Sequence, residues 1–312
     1  MSEIFKIMVF PGFLFLVLTS FLVEYLDRKL HARFQNRVGP PWYQPVADFI
    51  KLLGKEIIFT KTADKIVVST MPVFALAATV TAYLYIPLWQ HEAIFSFDGD
   101  MIVVLYLLTL PTFAFFLGAW YSQSIYAMFG AVRSLTQLFA YEVPLLLSVL
   151  ASALLANTWS MDDLTRFYSE HPGYWLFNLV GFVTAVIALI GKLEKVPFDI
   201  PEAETEIVAG WFTEYGGVFF AFIRLTLNVE MIVGASLLAA VFLPFGLGFG
   251  PALGFLIYAG KVLFIILIIT LTRTVLARLR IDQMMEFCWK YVSSAAFLQI
   301  LATLTIKGVL NP

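Results

Sequence analysis

The chain has 312 residues, of which 60% are hydrophobic and only 13% are charged, and its formal net charge is −2. Soluble domains contain about 45–50% apolar and about 25% charged residues, so this composition excludes a soluble protein and indicates a polytopic membrane protein. The one cysteine, Cys288, and three scattered histidines provide no disulfide framework and no ligand set for a metal or an iron–sulfur cluster. We therefore expect no catalytic or metal-binding residue on this chain, and no nucleic-acid partner.

Windows of about 20 apolar residues predict eight transmembrane helices. They lie at about 5–26, 69–90, 101–121, 134–157, 173–193, 218–243, 252–274 and 287–310. No two halves of the chain resemble each other, which disfavours a transporter built from inverted repeats. The predicted fold is an all-α polytopic membrane protein, with about eight transmembrane helices in a single integral membrane domain over residues 1–312.

Lysine and arginine are concentrated in the odd-numbered loops between these spans, whereas the even-numbered loops are mostly acidic. Because positively charged loops tend to stay in the cytoplasm, both termini are predicted to face outward. The predicted cytoplasmic loops cover residues 27–68, 122–133, 194–217 and 275–286. The predicted location is the cell membrane, with the lipid bilayer as a partner.

The first of these loops has the pattern of a turn followed by an amphipathic helix. The Gly39–Pro41 segment favours a turn, and Pro45 fits the first turn of a helix. One face of that helix is apolar and consists of Val46, Phe49, Ile50 and Leu53. A short cytoplasmic helix is therefore predicted in the membrane interface, either as an anchor or as part of a contact surface.

The stretch 192–217 holds six of the chain's 22 acidic residues between two apolar spans. Carboxylates are costly near hydrocarbon, so this concentration indicates a functional site. Pro197 and Pro201 predict an irregular turn followed by a short helix from about Pro201. A packed surface, rather than a solvated loop, is predicted from the apolar residues between the acids: Phe198, Ile200, Ile207, Val208, Trp211 and Phe212.

Several charged residues lie inside or at the ends of the spans. Glu142, followed by Pro144, is interpreted either as a proton-exchanging group or as a structural hydrogen-bonding group, with Arg133 or Lys261 as the nearby cation. Glu230 and Lys261 are predicted to pair, because a buried pair costs less than two separate charges. Arg133 is predicted to hold a carboxylate of the fifth loop or to extend to the interface.

In the last loop, Asp282 is predicted to be the N-cap of the eighth span. This loop also contains Arg280 and completes a set of four motifs that occur in order along most of the chain. The motifs are residues 37–56, residues 130–142, residues 195–206 with 209–215, and residues 277–290. They resemble the family of the complex I H subunit, which comprises NADH dehydrogenase subunit 1 and its relatives in energy-converting membrane-bound hydrogenases.

The resemblance implies a membrane subunit that docks a cytoplasmic redox arm and links electron transfer to H⁺ or Na⁺ translocation. The chain would be a non-redox subunit of an ion-translocating oxidoreductase. Expected partners are iron–sulfur and large catalytic subunits of the hydrogenase or complex I type, together with antiporter-like and small membrane subunits. Iron–sulfur clusters and a NiFe or other redox centre are expected on those partners, and no cofactor on this chain.

The residues expected to couple ion movement are Arg133, Glu142, Glu202, Glu204, Glu206, Glu214, Glu230 and Lys261. The residues expected to form the docking loops are Arg37, Gly39, Pro40, Gln44, Asp48, Lys51, Glu56, Pro197, Phe198, Asp199, Tyr215, Arg280 and Asp282.

The chain resembles one branch of the family more than the other. Quinone-reducing members typically have Glu at the position of Lys192, Arg at that of Lys195, and a repeated Gly-Pro turn that occurs once here. These departures resemble the hydrogenase and sulfur-reducing branch, so a quinone is disfavoured. The alternative is the quinone-binding H subunit of NADH:quinone oxidoreductase. Outside the family, a stand-alone ion transporter or a passive membrane anchor stays open.

Overall fold

The computed structural model describes residues 3–202, 204–247 and 249–310. Within these residues, eight helical spans are long and apolar enough to cross a membrane, which confirms the predicted fold class. They are Ile4–Phe34, Lys65–Leu84, Asp100–Tyr121, Ile125–Ala156, Pro172–Lys192, Gly217–Phe242, Pro251–Val275 and Ile281–Gly308.

The α-helices, numbered in chain order, are α1 Glu3–Met8, α2 Phe13–Phe34, α3 Gln44–Leu53, α4 Lys65–Leu84, α5 Asp100–Tyr121, α6 Ile125–Ala156, α7 Met161–Glu170, α8 Leu179–Lys192, α9 Glu204–Ile207, α10 Gly217–Phe242, α11 Pro251–Val275, α12 Ile281–Phe287 and α13 Ser294–Leu310. Short 3₁₀ segments lie at Pro172–Asn178 and Gly210–Phe212, and a π-helical turn, Cys288–Ser293, joins α12 to α13.

Two helices extend well beyond the predicted windows, because charge ends a hydropathy window without ending a helix. α2 continues past Asp27 to Phe34, and α6 begins at Ile125, before Arg133. Both charged side chains have partners, Lys195 for Asp27 and Glu206 for Arg133. Paired charge therefore allows both helices to continue beyond the apolar windows.

α10 forms the centre of the bundle. Every residue from Val229 to Phe242 is buried, and α2, α4, α8 and α11 pack around this helix. A helix that is apolar on all sides belongs in an interior rather than at a lipid surface. Glu230 is the acidic residue in this buried stretch, so its charge depends on a neighbouring helix for compensation.

The loops gather at two opposite ends of the bundle. At one end, Leu279 N donates to Pro197 O at 2.9 Å and Asp64 N donates to Tyr121 O at 3.1 Å, so odd-numbered loops contact each other. At the other end, Met161 N donates to Asp100 Oδ1 at 2.7 Å, which joins two even-numbered loops. We call these ends the odd-loop face and the even-loop face. The cytoplasmic location of the odd-loop face stays a prediction from charge.

The amphipathic helix is α3. Pro45 lies in its first turn, and Val46, Ile50 and Leu53 on its apolar side are exposed. Phe49 instead packs towards α2, with its ring centroid 5.4 Å from that of Phe21. The helix therefore lies against the bundle at the odd-loop face and leaves an apolar strip uncovered.

The predicted N-cap of the last span is wrong. α12 begins at Ile281 and its N-cap is Arg280, whose backbone N donates to Gln283 Oε1 at 3.1 Å. Asp282 lies in the first turn, where its negative charge still interacts favourably with the helix dipole.

Candidate functional site

The fifth loop is packed tightly against α5 and α6. Trp211 is fully buried, and its ring stacks on Phe115 with the centroids 4.5 Å apart. Gly130 on α6 permits this approach, because a Cβ there would lie 2.3 Å from Trp211 N. Phe198, Ile200 and Ile207 are also buried. The prediction that the fifth loop forms a packed surface, rather than a solvated loop, is thereby confirmed.

Two details of the loop differ from the prediction. The short helix is α9, Glu204–Ile207, and so begins three residues after Pro201. Val208 was expected to pack, but it is 55% exposed and has a positive φ of 63°, so it lies on the outside of the turn. The predicted coupling residue Glu204 has a side chain that lies outside the described part of the chain.

A buried ion pair joins α8 to α10. Lys192 Nζ lies 2.7 Å from Glu230 Oε1, and the two side chains are only 1% and 2% exposed. Lys192 also donates a hydrogen bond to Leu108 O on α5, and its Nζ lies 5.8 Å from the Tyr141 ring centroid. A buried pair of this kind is costly to disrupt, since removing one partner leaves an uncompensated charge.

The predicted pair of Glu230 with Lys261 is wrong. Lys261 is buried on α11 with its Nζ 4.7 Å from the ring centroid of Phe245, and no described carboxylate lies within ion-pair distance of it. Lys192 pairs with Glu230 instead, because α8 extends as far as this lysine and directs its side chain into the bundle. The sequence places Lys192 at the boundary between span and loop, where a lysine usually reaches solvent.

Glu142 lies on α6 next to Tyr141 and close to this ion pair. Its Oε2 is buried and has no hydrogen-bond partner among the described residues. The cation whose charge acts on Glu142 is Lys192, so the proposed roles of Arg133 and Lys261 there are wrong. On its other side, Glu142 borders an apolar crevice between α5 and α6, lined by Met101, Ile102, Leu105, Tyr106, Thr109, Leu146, Leu150 and Trp159.

Glu194 connects the buried pair with the odd-loop face. Its carboxylate accepts hydrogen bonds from Ser134 Oγ at 2.6 Å and from Trp211 Nε1 at 2.9 Å. Desolvation raises the pKa of the Glu194 carboxyl to about 8, and the carboxylates of Glu202 and Glu230 act in the same direction. Sequence reasoning counted Glu194 among the loop acids without choosing it, because its donors come from distant segments.

A charged cavity of about 260 Å³ opens beside Glu194, between α2, α10, α11 and the fifth loop. Asp27 accepts bonds from Lys195 Nζ at 2.7 Å, Thr270 Oγ1 at 2.7 Å and Arg273 at 3.2 Å. Burial lowers the pKa of the Lys195 ammonium, although Asp27 opposes that shift. Nine ionisable side chains line the cavity: Glu24, Asp27, Arg28, Glu194, Lys195, Asp199, Glu202, Arg224 and Arg273.

The outer part of the fifth loop is held by arginines. Arg133 Nη1 lies 2.6 Å from Glu206 Oε2, which confirms that Arg133 holds a fifth-loop carboxylate, and Arg278 lies 3.7 Å from the same group. The hydrogen bond from Arg133 lowers the pKa of the Glu206 carboxyl. Glu206 thus differs sharply from Glu194, although the two are only twelve residues apart.

The expected docking residues fall into two groups. Arg37, Lys51, Glu56, Arg280 and Asp282 are exposed on the odd-loop face and are available to a partner. The others support the loops from within. In the first loop, Lys29 donates to the carbonyls of Gly39 and Pro40, and Gln44 donates to Asp48.

Support residues of the fifth loop are less accessible than expected. Pro197 and Phe198 are buried, and Asp199 lines the charged cavity. Tyr215 is half-buried against α5, where a Cβ on Gly118 would lie 2.0 Å from its hydroxyl, and Glu214 beside it is also half-buried. These residues support the odd-loop face from below and do not form its outer surface.

A sequence model described as NADH dehydrogenase matches residues 5–304 of the chain. The H subunit of the NADH-quinone oxidoreductase of Carboxydothermus hydrogenoformans is 32% identical over 302 residues, covering 93% of this chain and 85% of that protein. The corresponding H subunit of Deinococcus deserti is 33% identical over 301 residues, covering 88% of this chain and 76% of that protein.

The fold is also found in a solved structure, that of an archaeal respiratory membrane complex described as a membrane-bound sulfane sulfur reductase. A chain of that complex superposes with a TM-score of 0.83 and 27% sequence identity, covering 93% of this chain and 96% of that one. Together with the match over residues 5–304, these similarities show that the chain belongs to the NADH dehydrogenase family that includes the H subunit of NADH-quinone oxidoreductases.

Proposed function

We propose that the chain is the membrane subunit of a complex I-like respiratory complex, in which it couples a redox reaction on a docked arm to ion movement. The observation that carries this proposal is the buried pair Lys192–Glu230, with Glu194 and the charged cavity on one side and Glu142 on the other. Titratable groups thus extend from the odd-loop face into the bundle.

The coupling step is electrostatic. When the reaction on the docked arm changes the charge on Glu194, the field at the Lys192–Glu230 pair changes, because screening by water is weak in the interior. The ammonium group of Lys192 then changes its position between Glu230 and Glu142, because its charge attracts both carboxylates.

From Glu142, the proposed coupling path leads towards the outer surface of the bundle. This carboxylate borders an apolar crevice on the outside of α5 and α6, where Tyr106 and Ile102 are exposed. Antiporter-like and small membrane subunits are the proposed neighbours at that surface, and H⁺ or Na⁺ would move through them. The exposed group of docking residues on the odd-loop face is the proposed contact for the iron–sulfur and large catalytic subunits, which would hold the redox centres.

We further propose that the complex is of the hydrogenase or sulfur-reducing type and that the charged cavity does not hold a quinone. Nine ionisable side chains line a space of about 260 Å³, whereas sites for apolar ligands are lined mostly by hydrophobic and aromatic groups. Lys192 and Lys195 support the same branch, as they replace residues typical of quinone-reducing members.

Replacing both members of the buried pair tests the proposal. A buried pair exchanged for apolar groups of similar volume is often tolerated, so Lys192→Met/Glu230→Leu should assemble and keep its electron transfer when ion flow is bypassed. Ion uptake per electron, measured in sealed vesicles, should fall at least tenfold. The single variant Lys192→Met is the matched control for an unpaired charge and should assemble poorly. Normal uptake in the double variant would mean that the pair is only structural.

A further inference from the structure

Towards the even-loop face, α6, α7, α8 and α13 enclose a group of polar side chains. Three leucines of α13, Leu298, Leu301 and Leu304, are exposed on its outer side, whereas the polar residues of the group face the bundle. Gly181 lets α8 approach α13, because a Cβ there would lie 2.8 Å from Gln299 Nε2. The buried polar cluster, as we call this group, has five members that are each at most 4% exposed: Ser152, Tyr168, Asn178, Gln299 and Thr303.

A chain of hydrogen bonds runs through the buried polar cluster, and its direction is fixed. The carbonyl oxygen of Ser152 can only accept, so Tyr168 OH donates to it at 3.0 Å. The Tyr168 oxygen therefore accepts from Asn178 Nδ2 at 2.5 Å, which turns Asn178 Oδ1 towards Gln299 Nε2 at 3.2 Å. The amide oxygen of Gln299 is thereby left as an acceptor that the chain does not use.

Three atoms of the cluster have no hydrogen-bond partner among the described residues, namely Gln299 Oε1, Ser152 Oγ and Thr303 Oγ1. Hydroxyls within helices commonly donate to a carbonyl of the preceding turn, as Thr305 Oγ1 does to Ala302 O at 2.8 Å. Ser152 and Thr303 do not, so their protons are available for bonds across the interface. Buried polar atoms of this kind point to a bound water molecule or ion.

The chemistry of the three atoms favours water over an ion. A metal cation would satisfy Gln299 Oε1 but would leave the hydroxyl protons of Ser152 and Thr303 without acceptors. An anion would accept from the two hydroxyls but would repel the amide oxygen. Water both donates and accepts, and a buried water molecule typically makes about three hydrogen bonds. The donor and acceptor pattern of the cluster thus matches water.

Water has an entry route from the even-loop face. A cavity of about 320 Å³ lies among the even-numbered loops, and Tyr168 lines it. The same tyrosine belongs to the buried polar cluster, so the cavity and the cluster adjoin. In the other direction along α8, the buried residues Ala188 and Leu189 lie between the cluster and Lys192. The cluster is therefore an inlet that ends in apolar packing, separate from the Lys192–Glu230 pair.

We propose that the buried polar cluster is a water-binding site in which ordered water joins Gln299 and Thr303 of α13 to Ser152 of α6. The bound water would complete the hydrogen bonding of the cluster. The last span would then be held in the bundle by polar contacts as well as by apolar packing. The inference does not depend on the proposed function, since it concerns the binding of water alone.

The hydroxyl of Thr303 provides a test of stability in the assembled complex. In a dry site, Thr303→Val removes a buried hydroxyl without a partner and should keep or raise the Tm. With bound water the same change breaks a hydrogen bond, so we expect the Tm to fall by about 2–4 °C. The matched control is Thr305→Val on the same helix, which is exposed and should leave the Tm unchanged. An unchanged or higher Tm in Thr303→Val would overturn the proposal.

Electron cryomicroscopy of the assembled complex, at a resolution that shows ordered water, tests the site directly. We expect a density peak within hydrogen-bond distance of Gln299 Oε1 and of at least one of the two hydroxyls. The peak should weaken or disappear in Thr303→Val and persist in Thr305→Val. A wild-type complex without the peak would contradict the proposal. A peak present in Na⁺ buffer and absent in K⁺ buffer would also contradict it, in favour of a cation site.

Discussion

Glu194 occupies a backbone conformation that usually belongs to glycine or asparagine. It follows the C-terminal end of α8 with a φ of +50°, which costs an ordinary residue on the order of 1 kcal/mol. The structure maintains this strain through the hydrogen bonds from Ser134 and Trp211 to the carboxylate. A glutamate thus occupies a position where a glycine would have a lower conformational energy. This is consistent with a functional carboxyl group.

Protonation of Glu194 should appear in the pH dependence of the complex. Its folded-state pKa of about 8 lies above the ordinary value of 4.5, so the folded state binds this proton more tightly than the unfolded state does. Its contribution to stability is therefore complete below about pH 4.5 and is lost as the pH rises through about 8. We expect a step near pH 8 in coupled ion uptake, and a Tm that falls as the pH rises from about 4.5 to about 8 and then levels off, both absent from Glu194→Gln.

Glu206→Gln is the matched control for this measurement. The Glu206 carboxyl has a lowered pKa because Arg133 binds it, so it is already charged well below neutrality. That variant should keep the step near pH 8. A step that persists in Glu194→Gln would assign the titration to another group of the complex.

At the scale of elements, the contact between α6 and the Gly210–Phe212 turn depends on a glycine, Gly130, at the point of closest approach. Gly130→Ala would place a Cβ 2.3 Å from Trp211 N and 2.6 Å from Gly210 C, and both are backbone atoms that cannot rotate away. Alanine normally stabilises a helix by about 1 kcal/mol relative to glycine, but the overlap should outweigh this gain and cost about 1–3 kcal/mol. We expect a lower Tm and faster proteolysis of the fifth loop near Val208.

Gly260→Ala provides the comparison. This glycine is also helical, in α11, and among the described residues no atom beyond its chain neighbours and the adjoining helix backbone lies within 4 Å of an added Cβ. Its alanine variant should keep or slightly raise the Tm of the complex. If Gly130→Ala behaved like Gly260→Ala, the close packing of the fifth loop on α6 would be refuted.

The sequence predicts the helices better than it predicts which charged side chains interact with each other. Hydropathy located the eight spans, and the spacing of Val46, Ile50 and Leu53 located α3, because both signals are local. The pairing of Lys192 with Glu230 depends on the depth and rotation of two helices, which no local pattern encodes. Glu194 was passed over for the same reason, since Ser134 and Trp211 reach it from two separate segments.

At the scale of the whole molecule, the orientation in the membrane is testable directly. Asp98 and Lys61 are both exposed, one in an even loop and the other in an odd loop. Cysteines placed there one at a time should be labelled from opposite sides of sealed vesicles, with Lys61→Cys accessible from the cytoplasmic side. The native Cys288 is 1% exposed and should not interfere. Labelling of both from one side would rule out the eight-span topology.

The Lys192–Glu230 pair also has a consequence for the response of this protein to voltage. One elementary charge that crosses a potential of 100 mV exchanges about 2.3 kcal/mol with the field. Two opposite charges 2.7 Å apart that shift together move almost no net charge, so the membrane potential does little work on them. Under the proposed function, an energised membrane would therefore act on this chain mainly when Lys192 moves from Glu230 towards Glu142, because that step separates the two charges.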